Sequence, residues 1–172
     1  MEVSSQAAQP TRAPAPPHPM RAAMERRDAA AMVELFAHDA VFRSPVTATP
    51  FEGREAVAEL MEAVVEQFET WECTDEITTG DSTVLLIRGR IGGRDVDLVD
   101  VMRHDEQGRV TEMRVHGRPI SGVAAFAAAV GPRLARRRGR LAVLVVTLLA
   151  APLPGLLALG DRIISRLALR RP

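Results

Sequence analysis

The chain of 172 residues contains no lysine, no tyrosine and no asparagine, and its single cysteine is Cys73. Without lysine there is no Schiff-base chemistry and no phosphate-cradling P-loop; without tyrosine there is no phenolic acid. One cysteine closes no intramolecular disulfide, which suits a reducing compartment. Aromatic residues are scarce at 3%. What is present is the composition of a globular protein, 47% apolar and 26% charged, with length for one well-cored domain and little more. All 22 basic residues are arginine and they balance 22 acidic ones. Arginine, alanine and valine in such excess are also what a GC-rich genome produces, so arginine abundance alone carries no functional reading.

The neutral total hides a division. Residues 1–132 hold 13 Arg against 21 Asp or Glu, and residues 133–172 hold 9 Arg against Asp161 alone, so −8 is followed by +8. Residues 1–19 contain five prolines and four alanines with no apolar period, and we read them as a disordered leader without the core of a secretory signal. The folded domain is expected over 20–132 and a separate tail over 133–172.

Within the domain, Ala29, Met32, Val33 and Phe36 recur at helix spacing, and an extended piece runs from Ala40 to Ser44, before Pro45. From Glu55 to Glu69 the stripe Val57, Leu60, Met61, Val64 and Phe68 predicts a helix. Its opposite face carries Glu55, Glu59, Glu62, Glu66 and Glu69, either a solvated surface or a site for a cation or partner. Strands are predicted over Thr83–Ile91, Arg94–His104 and Arg109–Arg118, with Gly92-Gly93 as a hairpin turn. Gly89–Gly93 precede a strand rather than a helix, which excludes a phosphate loop. Helices followed by a meander of strands point to an α+β domain, a curved sheet packed on helices.

The turns set a register. Arg90 faces Asp95, Arg88 faces Asp97 and Leu85 faces Asp100; on the other side Asp97 is expected to face His116, Asp95 to face Arg118 and Asp100 to face Met113. One face is then charged: Arg88, Arg90, Asp95, Asp97, Arg114, His116 and Arg118. The other carries Leu85, Ile87, Val96, Leu98, Met102, Met113 and Val115, with Asp100 as the one polar exception. A carboxylate among apolar neighbours is desolvated and its pKa rises, so it serves as a neutral hydrogen-bond donor or as a base near neutral pH. The competing reading is a structural acid bonded to a helix end, Trp71 or a buried water. His116 beside Asp97 reads as exposed ion pairing, and Cys73, with no base nearby, as packing. His18 and His38 complete no metal set, so no metal is expected.

Three strings carry a resemblance: LFAHDAVFRSP at 35–45, FEGREAVAEL at 51–60 and DLVDVMRHDEQGRVTEMRV at 97–115. Together, in order and spacing over residues 20–132, they resemble the SnoaL-like and ketosteroid-isomerase-like branch of the nuclear-transport-factor-2-like superfamily. The resemblance implies a cone-shaped curved antiparallel sheet and helices around an apolar pocket, often in a homodimer. Ketosteroid isomerases use an aspartate base, a tyrosine and a protonated aspartate donor. Asp100 falls on the donor position, Ser44 occupies the base position and no tyrosine exists, which argues against steroid isomerisation. Cyclase and epoxide-hydrolase relatives often carry an acid on the last strand, where this chain turns Val115 to the pocket. The expected lining is Ser44, Leu85, Ile87, Leu98, Met102, Met113 and Val115, around a small hydrophobic ligand and with no cofactor. The expected work is ligand binding or modest acid–base chemistry, of isomerase, cyclase or hydratase type, through Asp100; the rival is a non-enzymatic interaction module with a vestigial pocket.

Residues 141–160 carry no charge over 20 positions, long enough as a helix to cross a bilayer core of roughly 30 Å. Arginines 133, 136, 137, 138 and 140 precede this run and 162, 166, 170 and 171 follow it. Arginine on both flanks does not suit one straight span, because both sides favour the cytoplasm. Pro152, Pro154 and Gly155 interrupt the run, and Arg162, Arg166 and Arg170 line one helix face opposite Ile163, Ile164 and Leu167. The tail is therefore read as a single span, a hairpin or interfacial anchor, or a soluble partner-binding helix, with membrane contact through 141–171 and the domain facing the cytoplasm; a soluble cytoplasmic protein is the alternative. No nucleic-acid partner is expected, since stacking aromatics are missing beside the arginines.

Overall fold

The computed structural model describes residues 16–168. Most of the expected leader lies outside these residues, as do Arg170 and Arg171 of the tail. Two short helices come first, α1 (Pro19–Glu25) and α2 (Ala29–Glu34). Proline at the first position opens α1, and the Asp28 carboxylate accepts from the backbone N–H of Ala31 to cap α2. His18, assigned to the leader, is instead an ordered cap. Its Nδ1 accepts from Met20 N–H at 3.1 Å, and its own backbone N–H donates to Glu76 at 2.9 Å.

Strand β1 (Phe36–Arg43) begins where the helical pattern was expected to continue, so Phe36 belongs to a strand. A two-residue strand β2 (Phe51–Glu52) leads into helix α3 (Arg54–Val65), which buries Val57, Leu60, Met61 and Val64. The helix stops four residues before Glu69. Phe68 starts a strand that the sequence reading did not contain, β3 (Phe68–Thr79). This strand lies at the sheet edge, mostly exposed, and shifts register twice, so it lacks the alternation that marks a half-buried strand. Strands β4 (Ser82–Ile91), β5 (Arg94–His104) and β6 (Val110–Arg118) follow as the expected meander.

The sheet order is β2-β1-β6-β5-β4-β3. It is curved and mixed rather than wholly antiparallel, because β1 pairs β6 in parallel while the other neighbours are antiparallel. The β4–β5 register is as expected, with Arg90 opposite Asp95, Arg88 opposite Asp97 and Leu85 opposite Asp100. The β5–β6 register differs from expectation by two residues: Asp97 faces Arg118, Val99 faces His116 and Asp100 faces Val115. A bulge at Arg103/His104 and a longer loop cause the slip. Because side chains alternate with a period of two, the slip leaves every residue on its predicted face. It replaces His116 by Arg118 in the charged row; Arg118 Nε lies 3.3 Å from Asp97, and Arg88 Nε 3.5 Å from it.

Helix α4 (Ile120–Ala135) also went unread in the sequence. It is apolar on nearly every side because the sheet covers one face and the tail another, so no polar stripe betrays it. Its approach to β5 is close: a Cβ on Gly122 would lie 2.6 Å from the Asp95 carbonyl oxygen. A 3-10 turn, Arg136–Arg138, leads to α5 (Arg140–Ala150) and α6 (Leu153–Ala168). Helical hydrogen bonds persist through the junction, from Ala151 N–H to Thr147 and from Leu156 N–H to Pro152. Arg140–Leu167 thus form one 28-residue helical run, long and apolar enough to cross a membrane, and the prolines do not fold it into a hairpin. The run lies against α4, where Gly131 leaves room for Val146. Its other side exposes Leu141, Leu144, Leu148, Leu149, Leu156 and Leu159.

Candidate functional site

Asp100 sits in the middle strand of the meander, opposite Leu85 on β4 and Val115 on β6. Its neighbours along β5 on the same face are Leu98 and Met102, both buried. Asp100 is 4% exposed, and its Oδ1 has no hydrogen-bond partner. Burial, with no cation nearby to offset it, pushes its pKa up from the ordinary carboxylate range to about 7. Protonated, it is a hydrogen-bond donor; ionised, an acceptor and a base.

Beside Asp100 lies a narrow cavity of about 30 Å³. The sheet contributes Leu98, Met113 and Val115, while α3 contributes Met61 and Val64 and α4 contributes Phe126. Phe42 and Pro45 close it from β1 and the loop beyond, and Met32 from α2. The remaining wall is β3, through Phe68 and Trp71, whose rings stack with centroids 4.8 Å apart. Asp100 is the one ionisable side chain among these walls. The volume admits water but nothing larger unless side chains move. Met32, Met61 and Met113 are the walls best able to move, because an unbranched thioether repacks at little cost.

Of the residues expected to line the pocket, Asp100, Leu98, Met113 and Val115 do so. Leu85, Ile87 and Met102 share the inner face and are buried, yet they pack into the core away from the cavity. Ser44 is not a wall either: its hydroxyl accepts from Val46 N–H at 3.2 Å, a local turn that leaves Pro45 facing inward. The walls supplied by α2, α3, β1, β3 and α4 were not assigned to the site from sequence. Phe68 opens β3 rather than continuing the apolar stripe of α3, and the hydrogen bond that the sequence allows between Trp71 and Asp100 is not formed. Gly89, in the glycine run with no phosphate role, proves to be steric: a Cβ there would lie 2.6 Å from the Phe68 ring. Cys73 is buried, its thiol donating to the Asp75 carbonyl at 3.3 Å, and burial pushes its pKa up, which makes it unreactive.

A second concavity, about 160 Å³, separates α3 from the end of α4. Glu59, Glu62 and Glu66 line one side; Arg133, Arg136 and Arg137 line the other. Arg133 pairs with Glu66 and Arg137 with Glu59. The acidic stripe is therefore an internal partner of the arginine cluster rather than a purely solvated face.

Residues 19–113 match the family model of the SnoaL-like domain. A steroid delta-isomerase from Pseudomonas aeruginosa is 33% identical, with a TM-score of 0.64 over 68% of this chain and 87% of that one. A protein with a cystatin-like fold from Silicibacter pomeroyi is 24% identical, with a TM-score of 0.65 over 67% of this chain and 82% of that one. A protein of ketosteroid isomerase-like fold from Catenulispora acidiphila, in complex with trimethylamine, is 20% identical, with a TM-score of 0.51 over 66% and 89%. No curated protein matches the chain. With the matched residues covering α1 through the start of β6, and the sheet and helices arranged as in these structures, the chain belongs to the SnoaL-like domain family, within the nuclear-transport-factor-2-like superfamily.

Proposed function

We propose that this SnoaL-like domain binds a small hydrophobic molecule in the cavity beside Asp100 and performs at most modest acid–base chemistry on it. The observation that carries the reading is a buried carboxyl with no protein partner at the wall of an otherwise apolar cavity. Such a group is costly for a fold to keep, and perturbed acids in clefts mark functional sites. Ketosteroid isomerisation fits poorly despite the similarity to a steroid delta-isomerase. Ser44 lies outside the cavity and no tyrosine exists to share the developing charge with Asp100.

The helical run Arg140–Leu167 supports a membrane tether for this domain. It is about 42 Å long at 1.5 Å per residue, and its face away from α4 is leucine-rich. Arginines flank it at both ends, Arg136–Arg138 and Arg140 before and Arg162 and Arg166 after, a symmetry that suits a run lying at the membrane surface better than one straight span.

Thermal-shift screening of the full chain against apolar compounds, for wild type and Asp100→Asn, tests the ligand reading. Stabilisation by a compound that weakens in Asp100→Asn supports it; equal stabilisation of both proteins removes Asp100 from the site. A second reading, an interaction module with a vestigial pocket, is favoured by the small volume of the cavity. No response to any compound supports that reading.

A further inference from the structure

The side of the run Arg140–Leu167 that faces away from α4 is an apolar face with no cover, and Leu141, Leu148, Leu149, Leu156 and Leu159 are exposed on it. A contiguous apolar patch of this kind marks a surface that meets a membrane or another chain. After the turn Arg136–Arg138 the run doubles back, and both α5 and α6 pack on α4. Helix α4 is in turn fixed to the domain: Ala125, Phe126 and Val130 belong to the core, and Gly122 sits close against β5. A run held in this way has one side to offer. Crossing a bilayer takes about 20 residues with lipid on every side, which would strip the run from α4. Lying flat uses the outward face alone and leaves α4 covered.

The charges select the kind of surface. Beyond Pro132 the sole acidic residue is Asp161. Arg133 and Arg137 are paired with Glu66 and Glu59, and Arg136 lines the same acidic cleft. Arg138, Arg140, Arg162 and Arg166 are exposed and have no acidic partner among the described residues. Arg162 and Arg166 follow Leu148 and Leu159 at helical spacing and so share the outward face. An arginine there buries its stem along apolar surface and carries its guanidinium up to the headgroups. In a flat run the arginines of both ends reach one layer of headgroups, which a straight span would divide between two.

We propose that the run docks flat on an anionic bilayer, its leucine face entering the boundary between headgroups and acyl chains while Arg138, Arg140, Arg162 and Arg166 bind lipid phosphates. The inference rests on the membrane-tether reading and adds how the run meets the bilayer and which lipids it selects. A second copy of the chain fits this face less well, because it would bring the unpaired arginines of both copies to one seam with Asp161 alone to offset them.

The full chain is diluted from detergent into preformed vesicles of phosphatidylcholine, with or without one third phosphatidylglycerol, and sedimented. Binding to the anionic vesicles should be at least about tenfold tighter at low salt. High salt should erase that preference and leave the apolar part of the binding. Arg138→Gln with Arg140→Gln, Arg162→Gln and Arg166→Gln should lose the preference and still bind neutral vesicles. A cysteine appended after Pro172, in a Cys73→Ala background, should react with a membrane-impermeant maleimide on intact vesicles. An appended thiol that reacts solely after detergent is added overturns the flat docking and leaves a tether that spans. Equal binding to both vesicles at low salt overturns the anionic selection. No binding to either vesicle, by a chain that sediments as a dimer, overturns the membrane readings together and assigns the face to a second copy; no binding by a monomer overturns them as well.

Discussion

Asp100 and Trp71 face the same cavity from β5 and β3, and neither the carboxyl Oδ1 nor the indole Nε1 has a partner. The sheet holds the acid there because Asp100 occupies an inward position between Leu85 and Val115, where every neighbouring choice is apolar. Its retention costs stability, and that cost is measurable.

The pH dependence has a definite sign. Asp100 titrates near 7 in the folded protein against 3.8 ordinarily, so the folded state binds the proton more tightly than the unfolded chain. Its contribution is most favourable below about pH 4, declines as pH rises to about 7, and is fully unfavourable beyond. The interval corresponds to a penalty on the order of 4 kcal/mol at full ionisation. Relative to Asp100→Asn, wild type should lose melting temperature across that pH range, by roughly 10 °C, with the variants level at the acid end. Parallel profiles for the two proteins would show that the acid is solvated.

Gly89→Ala should push Phe68 away from β4 and disturb its stack on Trp71, since the added Cβ meets the ring at 2.6 Å. Overpacking of this kind costs about 1–3 kcal/mol. Urea unfolding gives the stability loss, and the emission of the single tryptophan should shift in the native baseline.

Arg133–Glu66 and Arg137–Glu59 join α3 to the end of α4 and the following turn. As exposed pairs they contribute little, so Glu59→Gln with Glu66→Gln should cost under about 1 kcal/mol, and less at high salt. The freed arginines should bind anionic vesicles more strongly in co-sedimentation than those of wild type. Unchanged vesicle binding would mean that the glutamates do not compete for them.

The tether makes its own prediction. After carbonate extraction of membranes from cells making the full chain, the protein should stay in the pellet, and Leu148→Glu with Leu149→Glu should release much of it. Complete recovery of wild type in the supernatant contradicts a membrane anchor.

The features legible in the sequence were those with a clean period. The stripe of α3, the Gly92-Gly93 hairpin and the two faces of β4 and β5 follow from spacing alone, and with them the inward position of Asp100. Features hidden in sequence were those whose surroundings erase the period. β3 is an exposed edge strand with two register shifts, and α4 is covered on two sides. Those two elements supply Phe68, Trp71 and Phe126, so the opposite half of the cavity was invisible. Ser44 was misplaced because it was judged by its neighbour Pro45, and one residue along a turn decides which side chain points inward. The slip of β6 by two residues exchanged partners on both faces and left the set of residues on each face unchanged.

The most direct test of the central claim is the titration of the Asp100 carboxyl carbon by ¹³C NMR, assigned with Asp100→Asn. The account predicts a midpoint near 7 and a displacement of that midpoint when an apolar probe binds. A midpoint in the ordinary carboxylate range, near 3.8 and indifferent to every probe, would show a solvated acid and contradict the ligand site.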